Sequence, residues 1–287
     1  MALAIEQCRD LGVEVHGIDI RGVENSTAAS LVDLVHQHKL VVIRDQLDFS
    51  ESEFVGFARA LGTPQIYFQH NYHHPEYPEI FVSSNIVDDR GRRLGVSGTG
   101  RYWHTDCAFQ ADPLSMTMVT PRIIPKLSRG TLYIDMAAVL ERLPEHLAKF
   151  AREHHATHEA KWRYKIQAQD IDKSVTEVLA EFEKISPPAT HPMVIEHPVT
   201  HREILYVSDG FTTGIVGFSY EEGKRILAEF FRFIERDEHV VAKQWKQGDI
   251  LLWDNRYLLH KAAHGDPTQK NMSYRIGVYD QQPFYCA

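Results

Sequence analysis

Between residues 80 and 134 the chain breaks into short β-type runs parted by turn chemistry, at 80–84, 102–109, 114–120 and 131–134. Similar runs return at 193–196, 204–207, 240–245, 250–253 and 274–279. So many short strands, with long insertions and few alternating β–α units, argue against a doubly wound parallel sheet. The pattern predicts an α+β chain with a mainly β core, a jelly roll decorated by helices. Those flanking helices have their own signals. Leu31, Leu34, Val35 and His38 have helical spacing, and Ser50 with Glu53 and Ser219 with Glu222 form capping boxes. Gly62 stops the helix that Ser50 opens, while residues 136–185 read as mostly helical or irregular, with His154, His155 and His158 on a solvated helical face.

No repeat, low-complexity tract or Pro/Gly-rich linker divides the sequence, so residues 1–287 are expected to form one domain. No unbroken apolar run exceeds five residues, far short of the roughly 20 a membrane span requires. Glu6 and Arg9 interrupt any signal-peptide core, and a soluble cytoplasmic protein is expected. A formal charge of -8 repels phosphate backbones and anionic membranes, which excludes nucleic acid and membrane surfaces as partners. The expected partner is a small-molecule substrate, and assembly into a homo-oligomer is left open. Three scattered cysteines offer neither a disulfide framework nor a thiolate zinc site. Seventeen histidines are the compositional oddity, and imidazole is the commonest metal ligand.

The sharpest local feature is Trp103-His104-Thr105-Asp106, within a run of strand character. Side chains two apart on a strand share a face, so His104 and Asp106 can reach one ion. Taken alone, the triplet also describes a histidine paired with a neighbouring carboxylate. Two histidines and one carboxylate would leave open the positions that a co-substrate and dioxygen need. The second histidine suited to this is His260, at the end of the strand-like run that begins Trp253-Asp254-Asn255-Arg256. Beyond it Arg275, between Tyr274 and Ile276 in the last strand, suits the far end of a dicarboxylate co-substrate, although a surface ion pair is an equal reading.

The order His104-x-Asp106, Gly130-Thr131, Trp253-Asp254-Asn255-Arg256 to His260, then Arg275, resembles the TauD/TfdA family of iron(II)- and 2-oxoglutarate-dependent oxygenases over residues 10 to 280. The resemblance implies a double-stranded β-helix of cupin-like kind, with Fe(II), 2-oxoglutarate and O2 as cofactor and co-substrates. It implies that His104, Asp106 and His260 are catalytic metal ligands, that Thr131 helps bind 2-oxoglutarate, and that Arg275 clamps its far carboxylate. Where the taurine-oxidising member has a further arginine, four residues before Arg275, this chain has Asn271. Tyr72-His73-His74, Arg129-Gly130-Thr131-Leu132-Tyr133-Ile134-Asp135 and Glu203-Ile204-Leu205-Tyr206 are similar to the oxygenases of isonitrile pathways. That branch holds PvcB-like enzymes, acting on a tyrosine-derived isonitrile, and isonitrile-forming enzymes, acting on N-carboxymethyl amino acids.

By that resemblance Tyr67, Phe68, Tyr72 and Lys165 bind substrate. Aromatics at 67, 68 and 72 suit a wall for a phenyl ring, or simply the core. Lys165, on a segment 158–170 able to close over an anionic substrate, is otherwise a solvated lysine. Phe68 and Gln167 stand where the isonitrile-forming enzymes carry a tyrosine and an arginine, which favours the PvcB-like reading: hydroxylation, or desaturation with decarboxylation, in secondary-metabolite biosynthesis. Two rivals belong to other classes. His260 with His264 would make a zinc-hydrolase pair if the stretch between them were helical, and a non-catalytic ligand-binding barrel needs no metal.

Overall fold

Period-two alternation builds the larger of the two core sheets. In Leu40–Ile43, Leu40 and Val42 join one apolar cluster while Val41 and Ile43 join another. Ile250–Asp254 repeats the device, with Leu251 and Trp253 on one face and Ile250 and Leu252 on the other. In this computed structural model residues 3–126, 129–263 and 268–286 are described. The strand order is Ala4–Gln7, Val13–His16, Leu40–Ile43, Ile250–Asp254, Met116–Ile123, Met272–Tyr279 and Thr63–Pro64, and Phe81–Ser84 also pairs with Met272–Tyr279. A smaller sheet places Gly130–Asp135 between Val240–Gln244 and Leu258–Ala263.

Tyr133, Ile134, Leu258 and Leu259 of the smaller sheet share a cluster with Leu40, Val119 and Trp253 of the larger, so the two sheets face each other as a double-stranded β-helix. The outer face of the larger sheet is covered by the helices Asn25–His38 and Glu51–Leu61, through Leu31, Val35, Phe54 and Phe57. Capping boxes at Ser50, Ser174 and Ser219 satisfy the first N–H groups of three helices. Among the described residues no helix is long and apolar enough to cross a membrane.

Three sequence expectations are corrected. The run 102–109 is not a strand: it touches a ladder only through a bridge from His104, and Cys107 at φ 59° turns the chain away. The run 253–260 splits at a turn after Ile250–Asp254, which places His260 inside Leu258–Ala263. The solvated helical face at 154–158 is instead the strand His155–His158, paired with Thr212–Ile215 and Ala189–Pro192, with His158 buried.

The turn after Ile250–Asp254 carries a buried charge network. Arg256, 1% exposed, donates to both oxygens of Asp280 at 2.8 and 3.0 Å and to Asp254 at 3.3 Å. His36 meets Asp280 and His197 meets Asp254, each at 2.8 Å. Burial alone would raise the Asp280 carboxyl, but hydrogen bonds from His36 and Arg256 outweigh it and hold the group well below the usual carboxylate range.

Candidate metal centre

Two reciprocal backbone hydrogen bonds, His104 N to His260 O at 3.1 Å and His260 N to His104 O at 2.7 Å, stitch the segment bearing His104 to the strand bearing His260. Their rings lie 4.2 Å apart between centroids. Asp106, in the turn that Cys107 completes, faces both: His104 Nε2 is 3.8 Å from Asp106 Oδ1, and His260 Nε2 is 3.7 Å from Asp106 Oδ2. His104, Asp106 and His260 thus converge as expected, although a bridge and a turn bring them together rather than a common strand. Gly210 permits this crowding, since a Cβ there would lie 2.8 Å from the Cβ of His104.

The protonation states suit a cation. His104 Nδ1 donates to the Tyr102 carbonyl at 2.9 Å, which leaves the Nε2 lone pair facing Asp106. Burial holds both imidazoles below their ordinary range, His260 at about 3, so both are neutral donors. Burial opposes ionisation of Asp106, but the Arg275 guanidinium beside it, with a hydrogen bond from Thr117, overcomes it and keeps the carboxyl well below its usual value. A first-row divalent ion sits about 2.0–2.2 Å from such donors, so atoms in this arrangement can share one after a small inward shift. Two neutral imidazoles and a carboxylate with open positions are the donor set of non-haem ferrous sites, and the residues present fit that ion.

A relay orients the carboxylate. Trp253 Nε1 donates to Asn255 Oδ1 at 3.0 Å, Asn255 Nδ2 to Thr117 Oγ1 at 2.9 Å, and Thr117 Oγ1 to Asp106 Oδ2 at 2.7 Å. Arg275 Nη1 donates to the other oxygen, Asp106 Oδ1. Asn255→Ala is expected to weaken metal binding about 10- to 100-fold with the fold retained, as loss of a ligand's supporting hydrogen bonds does elsewhere. Metal titration of the folded variant checks this, and unchanged affinity would remove the relay.

The cavity over the three ligands is lined by Tyr67, Tyr72, Thr131, Lys165 and Arg275 of the expected residues. Phe68 packs behind that lining, against Phe109 and Phe182. Tyr67 meets Tyr72 and Phe81 at 5.5 Å each, forming an aromatic wall beside Arg275. Lys165 bridges from segment 164–167 to the Ser97 carbonyl of the glycine-rich loop. Burial lowers its pKa, and the nearby Arg101 and Arg93 lower it further. Leu258–Ala263 is strand rather than helix, and His264, the second residue of the supposed zinc-hydrolase pair, lies outside the described residues.

Sequence reasoning gave no role to Thr117, Trp245 or Arg129, which the structure places at the site. Arg129 does adjoin Gly130-Thr131, and that adjacency was the available signal. A Cβ at Gly130 would run into the Lys243 carbonyl, so only glycine lets Val240–Gln244 close in and bring Trp245 to Thr131, where Trp245 Nε1 donates to Thr131 Oγ1 at 3.1 Å.

A jelly roll with this donor set defines an iron-dependent oxygenase. Comparison with known proteins supplies the rest: a family model described as taurine catabolism dioxygenase TauD, TfdA family, matches residues 4–276, and the chain belongs to that family. It is an Fe(II)- and 2-oxoglutarate-dependent dioxygenase using O2, which sets aside the zinc hydrolase and the non-catalytic barrel. An alkylsulfatase of Acinetobacter baylyi is 27% identical over 93% of this chain and 81% of its own length. Pentalenolactone F synthase of Streptomyces avermitilis is 25% identical over 95% of this chain and 92% of its own. The crystal structure of AAD-2 with Mn(II) and N-oxalylglycine superposes with a TM-score of 0.78 at 22% identity, covering 99% of this chain and 100% of that one, which shows the shared fold.

Proposed function

We propose that the chain, acting as one domain, oxidises a C–H bond of a small amino-acid-derived anion with an aromatic body, a tyrosine-derived isonitrile, in secondary-metabolite biosynthesis. The observation that carries this reading is an aromatic wall, Tyr67 with Tyr72, in the same cavity as Lys165, an ammonium with no carboxylate partner among the described residues. His104, Asp106 and His260 hold the iron. Bound iron and 2-oxoglutarate supply the oxidising power, as 2-oxoglutarate loses carbon dioxide to become succinate and O2 is reduced. The protein contributes binding, orientation and exclusion of water. Thr131 offers its hydroxyl to 2-oxoglutarate, and Arg275 steadies Asp106 beside the bound co-substrate. Lys165 holds the substrate anion, and the aromatic wall fixes the ring so that one C–H faces the metal.

Other substrates of the same chemistry fit less well. An N-carboxymethyl amino acid brings a second carboxylate, yet Phe68 is packed behind the wall and the Gln167 amide is spent on the Lys165 carbonyl. For a sulfonate such as taurine, Asn271 stands where a further arginine would be. A panel of tyrosine isonitrile, an N-carboxymethyl amino acid, an alkyl sulfate and taurine, scored by succinate formed per substrate oxidised, tests the reading. Tyrosine isonitrile is expected to give the tightest coupling, with Lys165→Ala raising its KM about 10-fold and leaving kcat less affected. Better coupling with an alkyl sulfate or taurine would refute the assignment.

A further inference from the structure

The cavity holds four cationic side chains, and two are paired with carboxylates: Arg275 with Asp106, and Arg163 with Asp209. The third, Lys165, which reaches the Ser97 carbonyl, is the cation assigned above to the substrate. The fourth, Arg129, is 7% exposed and lines the cavity, yet no carboxylate pairs with it among the described residues. Burial holds its pKa down at about 10. Its one side-chain hydrogen bond among those residues runs from Nη1 to Asn271 Oδ1 at 2.7 Å, and its guanidinium stacks on Trp245, 4.9 Å from the ring centroid. A buried guanidinium aligned by an aromatic face and a neutral amide, but left without a counter-ion, is arranged to receive an anion from outside the protein.

Its place in the sheet says which anion. In the pairing of Gly130–Asp135 with Leu258–Ala263, Tyr133 stands opposite His260 and Thr131 opposite Ala262. Tyr133, Thr131 and Arg129 therefore follow one another along one face at roughly 6.6 Å per two-residue step, leading away from the metal ligand. Trp245 joins the last two, bonding Thr131 and lying under Arg129.

We propose that Arg129, with Thr131 and Trp245 beside it, receives the distal carboxylate of 2-oxoglutarate, the role that resemblance assigns to Arg275. The inference rests on 2-oxoglutarate occupying this cavity. Arg275 then serves Asp106, and Asn271 shapes the seat of a cation supplied by the opposite sheet.

Anaerobic calorimetric titration of the iron-loaded protein compares 2-oxoglutarate with 2-oxopentanoate, which carries a methyl group in place of the distal carboxylate. The wild-type protein is expected to prefer 2-oxoglutarate about 100-fold. Arg129→Gln removes most of that preference while 2-oxopentanoate binds as before; Arg275→Gln retains it. Asn271→Asp, which keeps the arginine but gives it an internal counter-ion, weakens 2-oxoglutarate at least about 10-fold and raises Tm. Loss of the preference in Arg275→Gln, or its retention in Arg129→Gln and Asn271→Asp, would overturn the assignment with the co-substrate reading intact. Failure of the wild-type protein to bind 2-oxoglutarate would overturn both.

Discussion

Asp106→Ala is expected to lower iron affinity and 2-oxoglutarate-dependent succinate release by about 1000-fold or more, since even the groups that merely support a ligand contribute 10- to 100-fold. The same change should also destabilise the iron-free protein. Arg275 is half-buried against Asp106, its side chain 17% exposed, so the truncation leaves a guanidinium without its partner, at up to about 3–5 kcal/mol. The two effects separate in the double variant Asp106→Ala with Arg275→Met, expected to recover much of the stability and none of the iron binding. Denaturant unfolding reads one and metal titration the other. An Asp106→Ala protein that kept wild-type iron affinity would end the ligand assignment, and one of unchanged stability would end the pairing with Arg275.

Arg256→Met should be the most damaging change away from the metal. It leaves Asp254 and Asp280 buried without their cation, at about 3–5 kcal/mol, enough to threaten folding at 37 °C in a domain of ordinary stability. It should also flatten the acid response. In the wild-type protein the folded pKa of Asp280 lies below the unfolded value of about 3.9, so its contribution is fully present above that pH and is lost as pH falls through the folded pKa. Without Arg256, Asp280 keeps its bond to His36 and Asp254 its bond to His197, but both lose the guanidinium, so their folded pKa values rise toward the unfolded value. Less stability then remains to be lost as pH falls toward 4, and the pH dependence flattens. Denaturant midpoints between pH 3.5 and 7 test this, and parallel curves for the two proteins would refute it.

The fold was legible where hydrophobic alternation is strong. Runs such as Leu-Val-Val-Ile at 40–43 and Ile-Leu-Leu-Trp at 250–253 bury both faces and announce interior strands, and serine-to-glutamate capping boxes announce helices. Residues 155–158 were misread because His-Ala-Thr-His carries too little apolar signal, and its burial comes from the partner strands on either side. Convergence of His104, Asp106 and His260 was anticipated through the wrong local geometry. A two-residue bridge and a left-handed Cys107 leave no periodic trace. Arg129 was invisible as a cation without a counter-ion, because a sequence shows charges but not which of them are paired. The Trp253–Asn255 stretch was legible as a signature, while its purpose, a chain of donors ending on Asp106, required coordinates.

The paired amide contacts between positions 104 and 260 have a structural corollary. Because they fix the two imidazole-bearing segments directly to each other, the spacing at the metal does not depend on the length or composition of the loops that intervene, including the stretch carrying Lys165. Insertions or substitutions in those loops are therefore expected to leave the two imidazoles at the same separation, so that the part of the chain that faces the cavity mouth can vary independently of the part that faces the metal.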